Sequence, residues 1–189
     1  MNVAKALVFL ATGFEEIETV TVVDVLRRAN INVTVAGLTS AVTEGKHEMK
    51  IIPDKSIDEV SVEEFDAIIV PGGNPGYKNL RKDPRVIAMV KKAAASNKIL
   101  AAICAGPTVL SDSGVLEGKE CTIYPGMEKE LEAGGGKPNQ EMVVVDGNIV
   151  TSRGPATALP FALKLAELLA GKQVAEVVSK KTIANILRW

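Results

Sequence analysis

The chain has 189 residues, 47% of them hydrophobic, with 22 basic and 23 acidic side chains and a formal net charge of -1. That size and apolar content exclude a disordered chain and suit one domain, 1–189, with a sizeable core. The balanced charge excludes a basic nucleic-acid-binding surface, and no apolar run reaches membrane-spanning length, so neither nucleic acid nor membrane is an expected partner.

The predicted elements alternate along the chain. Ala6 to Leu10 reads as a buried strand, turned at Thr12-Gly13. Glu15 to Arg28 reads as a helix with Ile17, Val20, Val23 (or Val25) and Leu26 on one face. Acidic residues open it and Arg27-Arg28 close it, as the helix dipole favours. Ile31 to Leu38 is a second strand and Met49 to Ile52 a third, meeting an edge or turn at Pro53. Ala67 to Val70 is apolar throughout and stops at Pro71-Gly72-Gly73; Pro84 to Ser96 is a helix with proline near its start. Ile99 to Ile103 is the next strand, followed by a helix to Ser113. Cys121 to Ile123 is a weak strand and Met127 to Ala133 a short helix. Met142 to Val145 and Ile149 to Ser152 flank Asp146-Gly147-Asn148, a hairpin signal. Thr157 to Leu169 and Val174 to Leu187 close the chain as helices. Apolar strands alternating with helices predict an α/β fold, a parallel sheet covered on both faces with ligands at its carboxyl ends.

Cys104 stands where the strand ending at Ile103 meets the helix opening at Gly106-Pro107. Such a corner lifts a side chain out of the sheet and aims it at helix-start N–H groups, which favour thiolate. On this reading the thiol pKa falls well below its reference of about 8.5. The other reading is a small buried core thiol. Glu18 reads locally as a first-turn acid complementing the dipole. Gly72-Gly73 reads either as a strand-end turn or as a place where backbone amides approach an oxyanion. Two cysteines, Cys104 and Cys121, form no disulfide framework. The apolar stretch Ala6 to Ala11 is too short for an export signal, so a reducing, cytoplasmic setting is expected.

Five segments together carry a resemblance: Gly13-Phe14-Glu15-Glu16-Ile17-Glu18, Val23-Asp24-Val25-Leu26-Arg27-Arg28, Pro71-Gly72-Gly73-Asn74, Ala101-Ala102-Ile103-Cys104-Ala105-Gly106-Pro107 and Thr151-Ser152-Arg153-Gly154-Pro155. In this order they resemble the DJ-one/ThiJ/PfpI superfamily, on its DJ-one/YajL-like branch, over nearly the whole chain. The resemblance implies a flavodoxin-like, doubly wound, mostly parallel sheet sandwiched by helices, with one β-hairpin and a C-terminal helix. It implies a homodimer, Cys104 as the functional cysteine, and Glu18 reaching it from the first helix. It implies that the amides of Gly73 and Ala105 face the sulfur, with Gly72 beside them. Arg28 would lie near both the dimer contact and the cysteine pocket, and Pro155 in the loop that shapes that pocket. An ionised Glu18 would raise the thiol pKa, whereas a protonated one donates to the thiolate, so the pair should hold one proton.

The chain departs from the pattern at three places. Many members carry a histidine where this chain has Tyr124, and a phenol is a poor base near neutral pH, with a reference pKa of about 10. His47, the one histidine, occupies a position where close relatives often have arginine; it reads as a surface residue or one reaching the partner subunit's pocket. The protease-like branch places a histidine after the cysteine, where Ala105 stands here, so a peptidase is poorly supported. Two functions remain open. One is an enzyme in which Cys104 and Glu18 convert methylglyoxal or glyoxal to lactate or glycolate, or reverse early glycation adducts, with no metal, glutathione or other cofactor. The other is a redox sensor or stress-response chaperone whose Cys104 oxidises to sulfinate.

Overall fold

The computed structural model describes residues 3–187. β1 (Lys5–Leu10) leads into α1 (Glu16–Arg28) and β2 (Asn32–Gly37). β3 (Thr43–Glu44) and β4 (Lys50–Ile51) pair with each other, and β5 (Lys55–Ser56) follows. Next come β6 (Ala67–Val70), α2 (Gly76–Lys82), α3 (Pro84–Ala95), β7 (Ile99–Ile103) and α4 (Pro107–Asp112). β8 (Glu120–Cys121) and β9 (Lys137–Pro138) pair on either side of α5 (Glu128–Ala133). β10 (Val143–Asp146), β11 (Ile149–Ser152), α6 (Ala158–Ala170) and α7 (Lys172–Lys181) complete the order.

The main sheet runs β10-β11-β7-β6-β1-β2-β5. All of its pairs are parallel except the β10–β11 hairpin, so the fold is flavodoxin-like α/β, as expected. Ala6 to Leu10 are all fully buried, because helices cover both faces of β1. Leu7 and Phe9 pack with Val86 and Val90 of α3 and Val109 and Leu110 of α4. Ala6 and Val8 point the other way, into Val22 and Leu26 of α1 and Phe161 and Leu165 of α6. Strand order reverses between β1 and β6, which makes their carboxyl ends the natural ligand crevice.

Several expectations need correction. Ile17 and Val20 do not line the buried face of α1; they are 56% and 44% exposed. The buried stripe is Glu18, Val22, Val25 and Leu26. Its spacing is as helical as the expected one, but its first member is a carboxylate, which hydrophobicity alone assigns to water. Met49 to Ile52 does not join the main sheet; only Lys50–Ile51 is extended, paired with β3, and Met49 and Ile52 lie exposed. β5, which carries no apolar signal, takes the sheet edge instead. The last helix stops at Lys181 rather than Leu187. Thr182 Oγ1 donates to the carbonyls of Val178 and Ser179, Ile183 turns to φ 62°, and a single 3-10 turn follows. No helix among the described residues is long and apolar enough to cross a membrane.

Candidate active site

Cys104 sits between β7 and α4 with φ 62°, a left-handed backbone uncommon for a residue with a side chain. Its neighbours hold it there. Its N–H donates to the Ser152 carbonyl at 2.9 Å, and its carbonyl accepts from the Tyr124 N–H at 3.0 Å. The twist presents the sulfur to two backbone N–H donors, those of Ala105 and Gly73.

Glu18 rises from the first turn of α1 beneath that sulfur. It is fully buried. Its Oε2 accepts the Gly72 N–H at 2.8 Å, its carboxyl hydrogen-bonds Cys104, and its Oε1 has no partner among the described residues. Glycine at 72 is what lets the two groups meet. A Cβ there would fall 2.7 Å from Cys104 Cβ, 2.8 Å from Glu18 Oε2 and 3.0 Å from Cys104 Sγ. Gly73 has φ 91° and packs so close to the loop after β1 that a Cβ would lie 2.3 Å from the Glu15 nitrogen.

Burial pushes the Glu18 carboxyl up to about 7, against the pull of the Gly72 amide and the Cys104 thiol. The Cys104 thiol is pushed up to about 12, first by burial and then by the charge and hydrogen bond of Glu18, with the Ala105 and Gly73 amides opposing. This reverses the expected low thiol pKa. The N-terminal field of α4, a six-residue helix, is outweighed by desolvation and an adjacent carboxylate. Between those two values the pair carries one proton, shared across the S···O contact.

The sulfur opens into a pocket of ≈530 Å³ at the carboxyl edge of the sheet. Cys104, Ala105, Gly73, Tyr124, Pro155 and His47 all line it, as do Glu15, Lys46, Tyr77 and Met127, which the sequence reading passed over. Glu15 looks like an ordinary first-turn acid yet is 4% exposed. Lys46 carries no local signal, because only the β3–β4 excursion brings it here. Arg28 does not line the pocket of its own chain. It lies ten residues along α1 from Glu18, about 15 Å by helical rise, exposed and paired with Asp24 at 2.6 Å. Cys121 is fully buried, its sulfur facing the carbonyls of Lys119 and Lys137, an ordinary structural thiol.

His47 is a surface residue, as expected, with its side chain 62% exposed, and it lines this chain's own pocket. Its ring Nδ1 lies 2.9 Å from Glu16 Oε2 and 3.8 Å from Glu15 Oε2, and its main-chain N–H donates to Glu16 Oε1 at 2.6 Å. Burial pushes Glu16 up, but the hydrogen bonds from the His47 ring and main chain outweigh it and hold Glu16 below the usual carboxylate range. Ligand atoms of Glu15, Glu16 and His47 lie within 4.8 Å of one another, a set able to take a divalent cation. Both Glu16 oxygens are already engaged by His47, so the set first of all orients the imidazole.

Fold and thiol elbow together define a class: flavodoxin-like α/β proteins that present one cysteine at the carboxyl edge of the sheet. Within it, the sequence profile of the DJ-1/PfpI family matches residues 4–168, and the chain belongs to that family. The crystal structure of Drosophila melanogaster DJ-1beta superimposes with TM-score 0.92 and 41% identity, covering 96% of this chain and 98% of that one. The structure of Toxoplasma gondii DJ-1, oxidized, gives TM-score 0.89 and 37% identity, covering 95% and 98%. A Caenorhabditis elegans relative, glutathione-independent glyoxalase DJR-1.2, is 37% identical over 159 residues, 84% of each chain.

Proposed function

We propose that this protein is a glutathione-independent glyoxalase acting on small 2-oxoaldehydes such as methylglyoxal and glyoxal. The observation that carries this reading is the buried Glu18 carboxyl set against the Cys104 thiol beneath two backbone N–H donors, at the floor of an open pocket. Cys104 Sγ bonds to the aldehyde carbon, and the carbonyl electron pair moves to oxygen beside the Gly73 and Ala105 N–H groups; the proton of the Cys104–Glu18 pair passes to that oxygen, leaving the hemithioacetal and an ionised Glu18. Glu18 then takes the proton from that carbon and returns one to the neighbouring carbon, converting the hemithioacetal to a thioester. Water cleaves the thioester, releasing lactate or glycolate and restoring the thiol. The nematode relative's name supports the same chemistry. Purified protein should form lactate from methylglyoxal, and Cys104→Ser should form none; absence of lactate from the unaltered protein overturns the reading. The same first step, taken on early dicarbonyl adducts of Cys, Lys or Arg side chains, would make the protein a deglycase; release from an adduct freed of dissolved dicarbonyl tests this finer claim.

A second reading, redox sensing in a stress-response chaperone, is favoured by the contrast between the two thiols. Cys104 faces the pocket while Cys121 is sealed. A sulfinate at Cys104 would be received by the Gly73 and Ala105 amides and by protonated Glu18. Low peroxide followed by peptide mass mapping should find Cys104 oxidised first; Cys121 first would sink this reading.

The working form is a homodimer. Ile17 and Val20 are exposed on α1, and Val20 shares a groove with Ile51 and the exposed Ile52, an apolar surface that a second copy would cover. Both cysteines are free thiols, which suits a cytoplasmic setting.

A further inference from the structure

We propose that His47, oriented by Glu16, is the base that activates water for the final hydrolysis, an inference that rests on the glyoxalase reading. Three observations converge on it. First, the His47 ring Nδ1 lies 2.9 Å from Glu16 Oε2 and its main-chain N–H donates to Glu16 Oε1, so one carboxylate receives both groups and fixes the ring. In the neutral ring, Nδ1 donating across this contact leaves Nε2 as the acceptor. A base oriented by a third group is the arrangement that nucleophile activation requires. Second, Glu18 does not line the pocket. It is fully buried beneath the sulfur and the Gly72 amide, on the sheet side of any thioester formed at Cys104. It is placed to move protons within the bound substrate but has no line to water arriving from the open side. Third, His47 does line that open side, on the same cavity as Cys104, without hydrogen-bonding to it. The ≈530 Å³ volume has room for the acyl group and a water.

The step balances. His47 Nε2 takes a proton from water as the water oxygen bonds to the thioester carbon. The C–S bond then breaks, its electron pair leaves with sulfur, and the proton passes from His47 to the Cys104–Glu18 pair as lactate departs. Glu15, Lys46, Tyr77 and Tyr124 are the other titratable groups facing this cavity, and Glu15 is the rival base among them.

Methylglyoxal turnover by His47→Gln, His47→Ala and Glu15→Gln, with intact-mass sampling of quenched reactions, tests the assignment. The His47 side chain is 62% exposed, so these variants keep the core. Lactate formation by His47→Gln should fall about 100-fold, the lower range for a lost general base. Capture of substrate at Cys104 should persist, so that the acylated enzyme accumulates. Added imidazole should restore release in His47→Ala. Wild-type release by His47→Gln overturns the proposal. So does slowed release without accumulation or rescue, or accumulation in Glu15→Gln alone. No lactate from the unaltered protein overturns the glyoxalase reading and this proposal with it, whereas normal lactate from His47→Gln overturns this proposal alone.

Discussion

Glu18 is a carboxyl group cut off from water, with one oxygen unpartnered among the described residues. Its rise from 4.5 to about 7 corresponds to about 3 kcal/mol, at about 1.36 kcal/mol per pKa unit. The folded state binds the extra proton, so the contribution of Glu18 to stability is greatest below pH 4.5. It falls as pH rises to about 7 and is level above that. Glu18→Gln removes the buried charge. It should be more stable than the parent at pH 8 by up to about 3 kcal/mol, the gap closing near pH 4, as read by urea unfolding at both values. Equal stability at pH 8 would show that no charge is being buried. The same variant should lose most dicarbonyl turnover, because an amide cannot carry a proton between carbons. It should also let Cys104 deprotonate at lower pH, measured by thiolate ultraviolet absorbance. Cys104 and Gly72-Gly73 were legible in the sequence because the elbow's signals are local: an apolar strand, a Gly-Pro step, a paired glycine. Glu18 was legible only through the family pattern, since alone it looks like a solvated first-turn acid. The places of Glu15 and Lys46 at the pocket were not legible, because no neighbour in sequence reveals that α1 and the β3–β4 excursion close on one pocket.

At the level of elements, the loop after β6 and the elbow after β7 meet with almost no clearance. Gly72→Ala places a methyl group between Cys104 and Glu18. Such overpacking typically costs about 1–3 kcal/mol, too little to dissolve the sheet but enough to part the two groups. Far-ultraviolet circular dichroism should be unchanged while lactate formation falls at least about tenfold, the effect of about 1.4 kcal/mol on a barrier. Full activity would mean that the Glu18–Cys104 contact is dispensable. The long parallel strands were legible because each is a continuous apolar run between turn signals. The two-residue strands β3, β4, β5, β8 and β9 were mostly not, being fixed by backbone pairing rather than by side-chain pattern. The buried face of α1 was misjudged for the same reason as Glu18: function put a carboxylate where periodicity asks for an apolar residue.

For the whole molecule, the uncovered surface of α1 sets the expected assembly. A groove of ≈320 Å³ runs between α1 and β4, lined in part by Val20, Val23, Ile51 and Ile52. Light scattering at micromolar concentration should give twice the chain mass, and Val20→Glu should give the chain mass alone; a monomeric parent would refute the dimer. The alternating order of strands and helices was legible from end to end, whereas assembly rested on resemblance. The route by which the chain completes its pocket follows from one contact. Cys104 is pinned through its N–H to the Ser152 carbonyl, on a strand that pairs with β7 only after the 45 intervening residues, 104–148, have been added. A ribosome-bound chain halted before β11 would already hold the thiol and the glycines, yet it would lack the strand that fixes their geometry. Closing so long a loop is entropically slow. During synthesis, Cys104 should therefore react as an unremarkable thiol until the hairpin emerges, and acquire its chemistry late in folding.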